Sequence, residues 1–474
     1  SDEVRRSAVD WLVRAAESAR AAGAQSEAVR HLRGALELAP AGRRCELHER
    51  IGDVFLDAGS SLAAYTAALE LADAADAAAD LRLRLIGGIA MLLMRSQGNV
   101  ARRPSVIELE AIVARGEALL AVATDDAAKA RFLIARGFLS FWLSGAPEPP
   151  ADLRVDDSRD SARRGLAIAE RLEDASLQSA ALDALGSQAQ EDGDYEEARR
   201  INRSRLALGD RIGMVERVDA HSMVAWNAVL MGDLDEALAT SRAALVAVQP
   251  GQVPAWVLHL VAWRLYALTL RGDWDDVLAL ADRALHLWDE GGRHAAGYAM
   301  RGFLAARDVA VARGDEPRHE RVAAALNEIR DAFRRAQNVR GIDEPLIALD
   351  RDGLLAALGD GSSQWVGREF FERALAACAD RDWHVPFPTL DRLAADATVP
   401  LRTQAARARG LFGRDTAMLG AALDGFERMG ARPYVARVRC ELARLTGDSD
   451  LLAVGLEELR VLGDQQQLAR FERT

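Results

Sequence analysis

Cysteine is scarce in this chain of 474 residues, which removes two kinds of site from consideration. The three cysteines, Cys45, Cys378 and Cys440, lie far apart, and no CxxC motif or cysteine–histidine cluster occurs. A disulfide framework needs many cysteines, and a zinc site needs ligands at short, regular spacing. We therefore expect neither of these, and a reducing, cytoplasmic environment suits the chain.

Lysine is scarcer still, because Lys129 is the only one. A nucleotide-binding P-loop needs a lysine that directly follows a glycine-rich loop, whereas Lys129 lies in an alanine-rich segment with the pattern of a helix. HExxH and GxSxG motifs are also absent. The sequence therefore predicts no enzymatic activity and no cofactor. Its many paired acids leave open a helical-toroid enzyme with two facing carboxylates.

Long apolar runs are missing as well. No stretch reaches the roughly 18 uncharged apolar residues of a membrane-spanning helix, and the opening SDEV lacks the features of a signal peptide. Because the first residues already have the sequence pattern of a helix and no methionine precedes them, we expect the chain to be a segment of a longer protein. The net charge of −12 argues against a surface that binds nucleic acid. Neither a membrane nor direct nucleic acid is expected as a partner.

What the chain does contain is a recurring Gly-Asp pair. The pair occurs at Gly193-Asp194, Gly232-Asp233, Gly272-Asp273 and Gly314-Asp315, each time between two apolar helical stretches. Glycine tolerates the left-handed backbone just past a helix end, and aspartate accepts hydrogen bonds from the first N–H groups of the next helix. One such turn about every 40 residues predicts stacked helical hairpins.

The first hairpin shows the same organisation with a tetratricopeptide (TPR) spacing. Ala28, Leu32, Ala35 and Pro40 follow the order small, large, small and helix-ending proline. We predict an all-α fold, an α-solenoid superhelix of TPR-like antiparallel helix pairs with about 18–22 helices. Residues 1–340 are predicted to form an array of about eight hairpins, and residues 341–474 degenerate repeats and a C-terminal cap.

Two stretches of sequence resemble a known class of regulators. Residues 425–443 (GFERMGARPYVARVRCELA) resemble the last repeats of bacterial multidomain signal-transduction ATPases, and residues 8–17 (AVDWLVRAAE) resemble the first hairpin after such an ATPase. Members of this class carry a LuxR-type DNA-binding domain or a class III nucleotide cyclase as the output module. The resemblance implies that this region is a sensor and scaffold within a signalling or transcriptional regulator.

In TPR-like pairs the first helix lines the concave face, so its inward positions are the candidate contact residues. Counted back from the Gly-Asp turns, these positions hold Asp183, Gln190, Asp219, Trp226, His259, Tyr266, Arg301 and Asp308. Polar and aromatic side chains together suit a binding groove. The favoured partner is a protein or peptide, which includes domains of the chain's own parent. A small-molecule inducer is the alternative, and simple core packing would produce the same spacing.

Overall fold

The fold is built from helices throughout. The computed structural model describes residues 2–54, 58–96, 104–140, 155–249, 251–293, 296–335, 342–360 and 367–473. Within these ranges the chain forms 25 α-helices and no strand, which confirms the predicted all-α class. The helix count exceeds the predicted range because the C-terminal part contains several helices of only 6–9 residues.

The first sixteen helices follow one another as eight packed pairs. Their bounds are α1 Asp2–Ala21, α2 Gln25–Leu38, α3 Ala41–Val54, α4 Ala58–Ala74, α5 Ala79–Arg95, α6 Val106–Leu120, α7 Asp126–Gly137, α8 Val155–Arg171, α9 Ala175–Glu191, α10 Tyr195–Leu206, α11 Met214–Leu230, α12 Leu234–Ala247, α13 Pro254–Arg271, α14 Trp274–Glu290, α15 Ala296–Arg313 and α16 Glu316–Arg335. Where the structure describes the connection between the two helices of a pair, the loop is short and the helices form an antiparallel hairpin.

Nine further helices complete the chain. They are α17 Asp343–Ala348, α18 Arg351–Gly359, α19 Arg368–Asp380, α20 Phe387–Ala394, α21 Val399–Gly413, α22 Thr416–Met429, α23 Arg432–Thr446, α24 Ser449–Leu462 and α25 Gln465–Glu472. The first turns of α20, α21 and α23 each contain a proline, namely Pro388, Pro400 and Pro433. Proline is tolerated there because the backbone N–H groups of a first turn have no acceptor within the helix. The predicted boundary at residue 341 lies outside the described residues.

The Gly-Asp turns have the predicted chemistry, with one exception. Gly272 has φ +84° and ends α13, and the other three glycines have the same left-handed backbone. Asp194 and Asp233 accept hydrogen bonds from the third N–H of the next helix, at 3.0 and 3.1 Å. Asp273 instead contacts the guanidinium groups of Arg271 and Arg432. This turn therefore joins the first array to the C-terminal helices.

The C-terminal hairpins fold back onto the inner face of the central ones. The first helices α11, α13 and α15 contact α21, α23 and α25 in the same order. One continuous hydrophobic core accordingly runs from Tyr195 to Phe471. The N-terminal pair also reaches the central array, because Gln252 Nε2 donates to the carbonyl oxygen of Ala22 at 3.0 Å. Among the described residues, no helix has the length and apolar character required to cross a membrane.

Arginine–carboxylate pairs join successive hairpins at a fixed sequence spacing. Arg43 contacts Asp10 at 3.2 Å and Arg50 contacts Glu17 at 2.7 Å, in both cases 33 residues apart. Exposed pairs of this kind contribute about 0–1 kcal/mol each, whereas apolar burial contributes roughly 25 cal/mol per Å². Hydrophobic contact between the helices therefore supplies most of the stability, and the ion pairs specify the register between neighbouring hairpins.

We expect Gly272→Ala to destabilise the protein more than Gly430→Ala. Both glycines have positive φ, which costs an L-residue about 1–2 kcal/mol. A Cβ at Gly272 would also lie 2.9 Å from Leu462 and 3.0 Å from the rigid ring of Pro433, whereas Gly430 has open space. We expect an additional loss of about 1 kcal/mol or more for Gly272→Ala in urea unfolding. Equal losses would show that the turn does not pack tightly on the C-terminal hairpins.

Candidate functional site

The predicted contact residues lie on the first helices of the central hairpins, and most of them are inaccessible. Seven of the eight are at most 6% exposed: Asp183, Gln190, Asp219, Trp226, His259, Tyr266 and Arg301. The eighth, Asp308, keeps 42% of its side-chain surface exposed. The structure thus brings the predicted residues together as an interior surface. Their role as partner contacts stays a prediction.

Two of the predicted acids belong to a buried ion cluster, which consists of Arg95, Asp183, Arg205, Glu216 and Asp219. Arg95 Nε donates to Asp183 at 2.8 Å, and its Nη1 donates to Glu216 at 2.6 Å. Arg205, which is fully buried, donates to Asp183 at 2.7 Å and also contacts Asp219. Because two guanidinium groups face three carboxyl groups, the cluster carries one unbalanced negative charge when all five are ionised.

Within the buried ion cluster, burial and charge act in opposite directions on two carboxyl groups. Burial disfavours ionisation of Glu216, but Arg95 and Arg205 outweigh it and lower its pKa to about 2. Burial also acts on Asp219, and the like charge of Asp183 adds to it, so the pKa of Asp219 is raised to about 6. The unbalanced charge is therefore relieved at Asp219, which holds its proton at a higher pH than an exposed aspartate.

Aromatic rings fill the next part of the inner face. Trp226 stacks on Trp263 with ring centroids 5.2 Å apart, and the Arg301 guanidinium lies 4.2 Å from the Trp263 ring. His259 stacks on Tyr298 at 4.1 Å. The Nε1–H of Trp263 donates to His259 Nε2 at 3.1 Å, and burial holds the pKa of this histidine well below its usual range. His259 is therefore a neutral ring that carries its proton on Nδ1.

Several inner residues bind the C-terminal helices directly. Arg301 Nε donates to Glu369 at 3.0 Å, and the Tyr266 hydroxyl donates to Glu372 at 2.8 Å. Gln404 from α21 donates to the other oxygen of Glu372 at 3.1 Å. Burial raises the pKa of Glu372 despite these donors. The polar inner surface of α13 and α15 is thus matched by the polar surface of α19 and α21.

Gln190 makes its contact within the array instead. Its Nε2 donates to Asn227 Oδ1 at 2.7 Å, which joins α9 to α11.

Asp308 lies at a cavity of about 80 Å³ between α13, α15, α19 and α23, which we call the interhelical cavity. The charged residues that line it are Arg307, Asp308, Arg373, Asp380, Arg381 and Arg437. Burial opposes ionisation of both aspartates, but Arg373 and Arg307 lower the pKa of Asp308, and Arg437 and Arg407 lower the pKa of Asp380 to about 2. Both carboxyl groups are therefore held ionised by neighbouring arginines.

A second cavity, of about 220 Å³, opens between α1 and α3, and we call it the N-terminal pocket. Its apolar lining consists of Val13, Ala16, Leu32 and Val54. Its charged lining consists of Glu17, Arg20, Arg50 and Asp53. The acidic side chains of this set are 39% and 53% exposed, so the pocket presents charges of both signs to solvent around an apolar base.

Sequence reasoning missed the lining of the N-terminal pocket, the residues of the interhelical cavity other than Asp308, and the arginines of the buried ion cluster. The 33-residue spacing of Glu17 and Arg50 is a usable signal, because it repeats for Asp10 and Arg43. No comparable signal exists for Arg95, which lies 88 residues from Asp183. Contacts of that length depend on how the array curves, and the spacing of apolar residues along one helix does not encode curvature.

No protein-family model matches the chain, and no curated protein matches its sequence. Similar solved structures include the Rap protein complexed with Competence and Sporulation Factor, with TM-score 0.47, 11% identity and coverage of 85% of this chain and 99% of that one. Yeast Tom70 gives TM-score 0.33, 13% identity and coverage of 98% and 94%. The TPR domain of P58(IPK) gives TM-score 0.26, 10% identity and coverage of 97% and 99%. At these values the likeness carries no information about function.

We expect Asp219→Asn to stabilise the protein increasingly as the pH rises from 5 to 7.5. Asp219 has a folded-state pKa of about 6, above its unfolded value, so its contribution to stability is present at low pH and is lost as the pH rises through 6. Asparagine does not ionise, so the variant does not lose stability when the pH rises through 6. The difference in unfolding free energy between variant and parent should shift by about 1.4 kcal/mol over this range.

Urea unfolding at several pH values measures this shift. Asp210→Asn is the matched control, because Asp210 is 98% exposed and should show no such trend. A constant difference between the Asp219 variant and its parent would contradict the raised pKa.

We also expect Tyr266→Phe and Glu372→Gln to be energetically coupled. Tyr266→Phe leaves a buried carboxyl group without one of its donors, which should cost about 1–3 kcal/mol of stability. The same change should cost less when residue 372 is already glutamine. A double-mutant cycle in urea should give a coupling energy of about 0.5–3 kcal/mol. Additive losses would mean that this contact does not hold the C-terminal hairpins in place.

Proposed function

We propose that this chain is a non-catalytic helical-repeat scaffold that binds an extended segment of a protein or peptide in the N-terminal pocket. One observation carries the proposal. The inner face of the central hairpins is filled by α19, α21 and α23, whereas the inner helices α1 and α3 keep an open cavity. A partner from solution can therefore reach the inner face at the N-terminal end of the array without displacing any described helix.

The chemistry of the N-terminal pocket suits a peptide better than a drug-sized molecule. Its volume of about 220 Å³ is below the roughly 300–1,000 Å³ of typical small-molecule pockets. An apolar base under a charged edge accepts one or two apolar side chains of an extended segment, with flanking charged residues paired at the edge. Glu17 and Arg20 offer both signs within one helical turn, so the expected partner carries charges of both signs next to its apolar anchor.

Charge placement supports a non-catalytic role. A helical-toroid glycosidase needs a carboxylic acid of raised pKa facing its partner across an open cleft. The two acids that face the interhelical cavity, Asp308 and Asp380, both have lowered pKa values. The acids with raised pKa, Asp219 and Glu372, are at most 5% exposed and are hydrogen-bonded inside the fold.

Seven of the predicted contact residues act, in this proposal, as the interior that fixes the curvature of the array, and Asp308 lines the interhelical cavity. A sensor role for a small-molecule inducer is the second candidate, and the size and arginine lining of the interhelical cavity would restrict that inducer to a small anion. The proposal that the scaffold belongs to a bacterial signalling or transcriptional regulator rests on the sequence resemblance alone.

A charge-reversed pair in the N-terminal pocket tests the proposal. Peptides selected from a random displayed library against the full chain are measured by fluorescence anisotropy on the parent and on the double variant Glu17→Arg with Arg50→Glu. The double variant keeps the Glu17–Arg50 pair with its charges exchanged, so complementarity to the peptide is lost. The exchange also removes the contact of Arg50 with Glu46, and a thermal melt therefore checks folding before affinities are compared. We expect binding to weaken about tenfold or more, which corresponds to 1.4 kcal/mol.

The matched control exchanges an ion pair on an outer helix. Glu197→Arg with Arg200→Glu on α10 changes the same charges at a site far along the chain and should leave peptide affinity unchanged. Equal affinity of both double variants, or failure of the parent to select any peptide, would exclude the N-terminal pocket as the binding site.

A further inference from the structure

The interhelical cavity contains arginine donors that the fold itself does not use. Arg373 is 5% exposed, and its Nε is buried without a hydrogen-bond partner in the part of the chain that the structure describes. Its ion pair with Asp308 engages only Nη2. Arg381 makes one long hydrogen bond, from Nη1 to the Ala377 carbonyl at 3.4 Å, and its guanidinium lies 5.5 Å from the Trp383 ring. It pairs with no described carboxylate within 4 Å. The Arg373 Nε is enclosed by protein, so the donors that a ligand in the cavity can reach are Arg373 Nη1 and the remaining guanidinium N–H groups of Arg381.

The charges around the cavity do not balance. Arg307 and Arg373 share the single carboxylate of Asp308. Arg437 is held between Asp380 and Asp464, so it contributes no surplus. One positive charge remains from the Arg307–Asp308–Arg373 group and a second from Arg381. Buried guanidinium groups without a counter-charge are costly in a protein interior, and an anion that enters the cavity would remove that cost.

We propose that the interhelical cavity is a binding site for a phosphate group, either free phosphate or a small phosphate monoester. A phosphate group carries about −1.5 to −2 charges at pH 7, which matches the surplus of the lining, and its oxygens accept the planar donor arrangement of arginine. The cavity of about 80 Å³ is several times the roughly 10–15 Å³ needed for one water, so a small anion fits.

The site has a consequence for the whole array because the positive charges around it come from both the central and the C-terminal helices. Arg307 lies on α15 of the central hairpins, whereas Arg373 and Arg381 lie on or directly after α19. A bound phosphate would hold these helices together and stabilise the folded state over the unfolded chain. These helices are distinct from α1 and α3, which line the N-terminal pocket. A failure to bind phosphate would therefore leave the proposed peptide site intact, and a failure to bind peptide would leave the proposed phosphate site intact.

Calorimetric titration of the full chain tests the site, with inorganic phosphate and a simple phosphate monoester such as glycerol phosphate as probes. Both are expected to bind with saturation at one site, and phosphate should raise the thermal unfolding midpoint more than chloride at equal ionic strength. Tighter binding of the monoester would identify a phosphorylated small molecule as the ligand class. Equal or tighter binding of free phosphate would identify the ion itself.

Two variants and a control locate the binding. Arg381→Gln removes a donor that has no ion pair, so the fold should be retained while phosphate affinity falls about tenfold or more. Arg373→Gln should give a larger loss of affinity, and its far-ultraviolet circular dichroism reports whether the helices persist. Arg402→Gln removes one exposed positive charge from α21 and should leave binding unchanged. Absence of saturable phosphate binding by the parent, or equal affinity in Arg381→Gln and Arg402→Gln, would overturn the proposal.

Discussion

The structure depends on the pairing of a polar inner surface with a second polar surface from the same chain. The inner positions of the central hairpins hold arginines, acids and aromatic rings, and the C-terminal helices cover them with complementary groups, such as Glu369 for Arg301 and Glu372 for Tyr266. Burying charges is costly unless each is paired and hydrogen-bonded. Complementarity between two distant segments, and not apolar burial alone, is what allows the array to close on itself.

The same requirement explains where open surface remains. The central inner face is filled, so the positions that most resemble a binding groove in the sequence are interior positions in the fold. Accessible inner surface is found at the N-terminal pair, and a cavity lined by arginines is found where α15 meets α19. The N-terminal pocket lies outside the matched surfaces, and the interhelical cavity lies between them at a point where arginines outnumber carboxylates.

Local chemistry made much of the fold predictable. Helix pairs, their left-handed glycines and most aspartate caps follow from residues within a few positions of each other, and the structure confirms the all-α class. Asp273 shows the limit, because its carboxylate contacts Arg432, 159 residues away, in place of the local cap. Sequence spacing predicts that Trp226 and Tyr266 lie on the inner faces of their helices, but it does not reveal that another part of the chain packs against them, as Glu372 does against Tyr266. The interhelical cavity depends on such distant contacts, so its position does not follow from the sequence, whereas the N-terminal pocket is built from residues 13–54.

Closure also constrains how the chain can vary in length. In an open solenoid each repeat touches only its neighbours, so repeats can be gained or lost with little effect on the others. Here α11, α13 and α15 contact α21, α23 and α25 in matching order. Loss or duplication of one central hairpin would change which central helix faces which C-terminal helix. Charged partners such as Arg301 and Glu369 would then no longer be opposite each other. The number of hairpins between α11 and α25 is therefore fixed by these paired contacts, and a gain or loss of repeats would be tolerated only outside this segment.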